Sequence, residues 1–282
     1  MKTGIRVLIA AIALLLCPGS TRADEANASY VGVVAKKAAI LEDLHKRISS
    51  SLVTVAQDKA FGEYFLEQDP GRRAELKQRI DEISLKTQDK FRVEEMCLIG
   101  STGAEISRIV GSVVAYDLAP DETGAVFFAP GFAQPNRQVF ISPPYVSPDA
   151  PKWVIGYATP IIVNGVTQAV LHFEHGLDVF QRLLGVQPPP DGSYIQAVTD
   201  SGWVIFDSRH EIGIGKKGES EAAADYFETF TLGGLSLAEL RQRGGGGDAG
   251  AGRIDEGGVS WDFAYRQVGT WTLIIAGSQP ST

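Results

Sequence analysis

Over residues 28–57 the apolar positions Val34, Ala38, Leu41, Leu44, Ile48, Leu52 and Val55 recur at spacings of three and four, the period of a helix with one buried face. At 1.5 Å per residue this stretch makes a rod of roughly 45 Å. Such a rod is longer than a small domain is wide, so it is expected to run along more than one unit. Helical periodicity continues over 59–67, breaks at Asp69-Pro70-Gly71 and resumes over 72–90 with Leu76, Ile80 and Ile83 on one face. From Phe91 the period changes to two. Residues 93–100 and 104–110 flank Ser101-Thr102-Gly103 as a hairpin. Asp117-Leu-Ala-Pro-Asp-Glu then sets Pro and acids where a helix begins. This predicts a short helix ending near Phe128.

Between Arg137 and His175 lie three β-rich runs, 139–142, 152–163 and 166–174, punctuated by Pro-Pro, Ser-Pro-Asp and Asn-Gly. Asn164-Gly165 suits a type I′ hairpin turn, which needs positive φ at both central residues. An amphipathic helix over 176–184 follows, then Gln187-Pro-Pro-Pro-Asp-Gly192, the strongest linker signal in the chain and the expected domain boundary. Beyond it a hairpin (194–198 and 203–207), a helical or irregular section (219–230 and 235–243), a flexible Gly244–Gly247 run and two strands (259–267 and 271–276) repeat the same order in smaller form. The expected class is α+β: a long N-terminal helix followed by two units with antiparallel sheets. The expected divisions are 24–92 helical, 93–186 the first unit and 193–282 the second.

Composition narrows what such a chain does. It has 282 residues, 44% hydrophobic and 21% charged, which is globular. Lys2 and Arg6 precede an apolar run over 7–16, followed by Pro18-Gly19-Ser20 and Thr21-Arg22-Ala23, the pattern of a cleaved export signal over 1–23. Its ten apolar residues are too few to span a bilayer, which takes roughly 20. The expected location is the periplasm. Removing Lys2, Arg6 and Arg22 takes the 26 basic residues to 23 against 34 acidic, a formal charge of −11. That balance argues against nucleic acid and anionic membrane as partners, since both rest on a basic surface. Cys97 is then the lone thiol, in the apolar run 96–99, and is expected to be buried rather than reactive.

Strand alternation sets Trp153, Ile155, Tyr157 and Thr159 on one face of their strand, and His172 and Glu174 on one face of the next. A site lined by Tyr145, Trp153, Tyr157, His172 and Glu174, with Arg137 at its rim, suits a small polar molecule. Arg137 is placed to hold a carboxylate, and Glu174 or Asp149 an ammonium. His172 and His175 fall on opposite faces, so no metal is expected there. Gly213-Ile-Gly215-Lys-Lys-Gly218 matches a dinucleotide expression without its βαβ context, so no cofactor is expected. With no nucleophile elbow and no paired histidines on a helix, the chain is not expected to be an enzyme.

The order of elements resembles the double Cache, or PDC-type, sensor domain of bacterial receptors, in which a long helix leads into two PAS-like units. Leu98-Ile-Gly-Ser-Thr-Gly-Ala-Glu-Ile-Ser-Arg108 resembles that family's first hairpin. Ile141-Ser-Pro-Pro-Tyr145, Trp153-Val-Ile-Gly-Tyr-Ala-Thr-Pro160 and residues 168–174 resemble the strands around its membrane-distal pocket. Asp200-Ser-Gly202, Asp207-Ser208 and Ile214-Gly-Lys216 resemble the membrane-proximal unit. The resemblance implies a stand-alone exported sensor that binds an amino acid, amine or carboxylate and signals to a separate membrane-bound receptor, kinase or cyclase. The alternative is a ligand-independent adaptor. For the amino-acid-binding subgroup, Arg137, Tyr145, Asp149 and Glu174 supply parts of the family set, while Phe140 and Ile141 stand where a Trp-Tyr pair is sought. A homodimer through residues 31–55 of the long helix is a further expectation.

Overall fold

The computed structural model describes residues 22–190, 192–213, 215 and 222–280. The expected export signal lies outside these residues except for its last two positions, and so do Ile214 and Lys216. Three helices lead the fold, α1 (Arg22–Ala56), α2 (Lys59–Leu66) and α3 (Pro70–Phe91). Their boundaries are set by side chains. Asp58 accepts from the Ala60 N–H at 3.0 Å to cap α2, and Asp69 accepts from the Arg72 N–H at 2.8 Å to cap α3. Pro70 opens α3 rather than only ending what precedes it, because a first-turn N–H has no helical partner to lose.

The first sheet is built from β1 (Glu95–Gly100), β2 (Glu105–Val110), β3 (Val113–Val114), β4 (Phe140–Ile141), β5 (Tyr145–Val146), β6 (Trp153–Val163) and β7 (Val166–Gly176), with the short α4 (Phe128–Phe132) between β3 and β4. Its order is β3-β2-β1-β7-β6-β4, with β5 also paired to β6. Helix α5 (Leu177–Gly185) then leads to the second sheet. That sheet contains β8 (Ser193–Thr199) and β9 (Val204–Asp207) and, after α6 (Ala223–Tyr226) and α7 (Leu237–Arg243), β10 (Ala249–Glu256), β11 (Val259–Val268) and β12 (Trp271–Pro280). Its order is β10-β11-β12-β8-β9.

Helix α1 lies along both sheets. Val34, Ala38, Leu41, Ile48 and Leu52 share one buried cluster with Tyr157 and Phe173 of the first sheet and Leu273 and Ile275 of the second. The apolar stripe of α1 is therefore filled from within the chain, and the homodimer expected through residues 31–55 would have to use the helix's other face. Lys37, 4% exposed, reaches from α1 to the end of α5. Its ammonium donates to the carbonyls of Leu184 at 2.7 Å, Gln187 at 3.0 Å and Val186, acceptors that a helix end otherwise leaves open. Lys37→Met leaves them unmet in a buried place, so urea denaturation should show a loss of about 1–3 kcal/mol. An unchanged midpoint would contradict this role.

The helix predicted to begin at Asp117 does not form before Phe128. Its backbone is drawn elsewhere: the Ala119 N–H donates to Glu105 Oε2 at 2.6 Å, Asp117 pairs with Arg108, and Asp121 accepts from both the N–H and the hydroxyl of Thr123. Only four residues of the 219–230 section are helical among those described. Strand β10, which follows the Gly244–Gly247 run, has no counterpart among the elements expected from the sequence, and it carries Gly250 and Gly252. They are required by packing: a Cβ on Gly252 would stand 3.0 Å from the Phe263 ring, and one on Gly250 would strike the Gly244 carbonyl.

The turn at Asn164-Gly165, with φ of 53° and 80°, pairs Val163 with Val166. Between Ile161 and Ile162 the register then slips, so that Tyr157 pairs with Phe173 and Ala158 with His172. Without that bulge the ladder counted from the turn would set Tyr157 against His172. A one-residue slip exchanges the faces of a strand. Tyr157 accordingly faces α1, and His172 faces away from it.

Candidate functional site

On the side of the first sheet away from α1, the loops that carry residues 122–127 and 144–149 cover a cavity of about 460 Å³. Alternation along β1 brings Glu95, Cys97 and Ile99 to it, and the register sets Glu95 directly opposite Glu174 and Cys97 opposite His172. Five carboxylates line the cavity, from Glu95, Glu105, Glu122, Asp149 and Glu174, with no basic residue among the lining. The apolar wall includes Phe127, Tyr145 and Trp153.

Like charges facing each other across a ladder are unfavourable, and here both are buried. Glu95 and Glu174 are 4% and 1% exposed. Burial, and then the charge of Glu174, raises the Glu95 carboxyl well above the carboxylate range. Burial raises Glu174 as well, against the hydrogen bond that Tyr145 supplies. The Tyr145 hydroxyl donates to Glu174 Oε1 at 2.7 Å and stands 3.0 Å from His172 Nε2. Since that hydroxyl's proton goes to Glu174, the network assigns the ring proton of His172 to Nε2, donating to the Tyr145 oxygen. Burial holds His172 neutral, pushing it down to about 3, and its ring stacks on Phe127 at 3.5 Å. Gly156 leaves room for this pair: a Cβ there would lie 2.9 Å from His172 Nε2 and 3.0 Å from the Tyr145 oxygen.

Arg108 is the cation behind the cavity, 6% exposed. It meets Asp149 at 3.2 Å, Glu105 at 3.6 Å and Asp117 at 2.7 Å. Burial pulls its pKa down, but these three carboxylates outweigh that and hold it above its ordinary value. Cys97 is 2% exposed, and its thiol donates to Glu95 Oε1 and lies 3.4 Å from Glu105 Oε1. Burial, and then those two charges, pushes the thiol up.

Of the residues singled out in the sequence, Tyr145, Asp149, Trp153 and Glu174 line this cavity, and His172 bonds to Tyr145. Trp153 closes one end, packing on Phe227 at 4.7 Å and Tyr226 at 5.3 Å. Two residues are elsewhere. Tyr157 is on the opposite face because of the bulge, its hydroxyl 2.6 Å from His45 Nδ1 on α1. Arg137 is exposed at a φ of 65° and lines a separate hollow beside Gln57 and Thr159. Glu95, Glu105, Glu122 and Arg108 were not singled out as site residues. Glu105 and Arg108 stood in the sequence as part of a hairpin motif, and the signal missed was charge on strands otherwise apolar.

No protein-family model matches the chain, and no curated protein matches it in sequence. Solved structures do match in fold. The ligand-binding domain of the Campylobacter jejuni chemoreceptor Tlp3 in complex with L-norvaline is 13% identical, with a TM-score of 0.69 over 92% of this chain and 93% of that one. A domain of a sensory box/GGDEF family protein from Vibrio parahaemolyticus is 14% identical, with a TM-score of 0.66 over 92% of this chain and 97% of that one. The extracellular domain of the histidine kinase vpHK1S-Z8 is 14% identical, with a TM-score of 0.64 over 91% and 92%. At such identities the likeness is one of fold. A long leading helix followed by two antiparallel sheets, matched over nearly the whole of each neighbour, gives this chain the fold of the double Cache sensor domains.

Proposed function

We propose that the chain is an exported sensory domain that binds a small amine in the cavity of its first sheet and passes the signal to a separate membrane partner. The observation that carries this reading is five carboxylates around one cavity with no basic lining residue. A buried carboxylate is tolerated when it is paired; Glu95 and Glu174 face each other with no basic residue in the lining, and burial raises both carboxyls until a cation enters. An ammonium group supplies that charge, and the aromatic wall of Phe127, Tyr145 and Trp153 suits its carbon skeleton. The fold neighbours include one chemoreceptor ligand-binding domain, in complex with L-norvaline and with L-valine. Here a ligand carboxylate meets no basic side chain among the lining, and the two terminal nitrogens of Arg108 are already shared by Asp149, Glu105 and Asp117, leaving only its Nε and the Trp153 indole N–H unpartnered. Amines without a carboxylate therefore fit this cavity better than simple acids do.

Thermal unfolding of chelator-treated protein against monoamines, diamines, amino acids and carboxylates tests the reading. A ligand at 100 times its Kd adds about 2.7 kcal/mol, so at least one amine should raise the melting temperature by several degrees. Asp149→Asn should weaken that amine at least tenfold. Stabilisation by carboxylates alone would contradict the proposal. No stabilisation by any compound would favour an adaptor that uses the fold only to dock a partner.

A further inference from the structure

The inner wall of the cavity carries a second chemistry. Glu95 and Cys97 share one face of β1, and Glu105 enters from β2 opposite Ile99. One ligand atom from each residue, a carboxylate oxygen, the Cys97 Sγ and a second carboxylate oxygen, lies within 4.8 Å of the other two. All three residues are buried, Glu95 at 4%, Cys97 at 2% and Glu105 at 8% exposed. Bound to one ion at about 2.0–2.3 Å, such donors stand some 3–4 Å apart, so only small side-chain adjustments separate this cluster from a closed first shell.

A cluster of acids around a thiol is not in itself a site. What points to a ligand here is the unmet acceptor. Glu95 Oε2 has no hydrogen-bond donor, on a side chain almost wholly withdrawn from water and lining the cavity. Cys97 is the donor to Glu95 Oε1, and Arg108 turns instead to Asp149, Asp117 and the far oxygen of Glu105. The wall therefore offers acceptors and a thiol to whatever enters. An organic ammonium satisfies carboxylates but has no use for sulfur, whereas a borderline-soft divalent ion takes both oxygen and thiolate.

We infer that Glu95, Cys97 and Glu105 form a site for a divalent metal ion of the zinc class at the inner wall of the cavity. Binding replaces the S–H bond of Cys97 by an S–metal bond and takes Glu95 as its carboxylate; the thiol proton, and the carboxyl proton where Glu95 carries one, go to solvent, with no change of oxidation state. Three protein donors leave at least one coordination position for water or a ligand atom. The inference shares a cavity with the amine reading but does not depend on it.

The test uses cobalt(II) and zinc(II) on chelator-stripped protein. Cobalt should give a near-ultraviolet thiolate-to-metal charge-transfer band saturating at one equivalent, and zinc should displace it. Cys97→Ser should abolish the band, while Glu105→Gln keeps it but weakens cobalt affinity at least tenfold. Circular dichroism confirms that both variants fold, and Ile106→Val is a control with unchanged binding. No band in the folded wild type, or the same band in Cys97→Ser, would overturn the inference. Amine stabilisation measured on the stripped protein separates the two readings: if it persists where cobalt gives no band, only the metal site fails.

Discussion

Replacing Arg108 by Met should lower stability by about 3–5 kcal/mol at neutral pH, the loss typical of breaking a buried ion pair. The side chain is 6% exposed and is the cation shared by Glu105, Asp149 and Asp117. Without it Glu105, nearly all buried, and the partly buried Asp149 lose the cation they share, beside a cavity that already holds Glu95, Glu122 and Glu174. Glu122 shows the sign of the pH dependence. Burial raises it, Glu105 and Asp149 raise it further, and Arg108 pulls it down. Losing the arginine raises it more in the folded state. A group with a raised folded pKa contributes stability that is present at low pH and lost as pH rises through that pKa. The deficit of Arg108→Met against wild type should therefore shrink between pH 7.5 and pH 5. Arg108→Lys keeps the charge but not the planar fork, and should fall between the two. Urea denaturation at both pH values decides the matter: a loss below about 1 kcal/mol, the range of an exposed pair, or a deficit that grows in acid would contradict this account.

Acid should also act at the contact between α1, the first sheet and the second. His45 lies 2.6 Å from the Tyr157 hydroxyl, with ring centroids 5.7 Å from both Phe180 and Trp271. Burial pushes it down to about 4. His175, in contact with Tyr157 and Phe180, is also pushed to about 4, by burial and then by His45, with Asp178 pulling the other way. A histidine with a lowered folded pKa is fully stabilising above its unfolded value, near 6.5, and loses that contribution as pH falls towards 4, because the unfolded chain takes the proton first. At 1.36 kcal/mol per pH unit, each residue withdraws about 3 kcal/mol between pH 7 and pH 4. Glu95 and Glu174, raised in the folded state, work in the opposite sense and flatten the total. The difference between wild type and His45→Gln isolates the effect. It should change by about 3 kcal/mol across that interval, and parallel stability curves would rule the assignment out.

The helical and hairpin periodicities were legible because each residue's burial there follows from local spacing. Val34 to Leu52 on α1 and the turn at Asn164-Gly165 needed no distant partner to be recognised. The site was legible only in part, for a reason located at Ile161 and Ile162. Alternation gave the faces of β6 and β7 separately, but which face of one joins which face of the other depends on register, and an uncompensated bulge leaves no mark in residue type. Tyr157 was thus grouped with His172 and Glu174, and the structure separates them. Arg137 was grouped by charge, whereas its backbone points it to another hollow. Glu95 escaped notice and Glu105 was read only as part of a hairpin motif, since an acid on an otherwise apolar strand looks like a solvated edge until the covering loops are in place. Strand β10 escaped notice because Gly250 and Gly252, which admit the Tyr265 and Phe263 rings, carry no apolar alternation of their own.

Strand β7 carries Glu174 on the cavity side and His175 on the side of α1, one residue apart and on opposite faces. Consecutive side chains of a strand share one stiff axis, so a roll of β7 that moves Glu174 outward carries His175 inward by a comparable arc. What happens in the cavity is thus geared, through a lever about 3 Å long, to the ring that meets Tyr157 and Phe180. The face of the sheet that packs on α1 begins at the next residue along the chain.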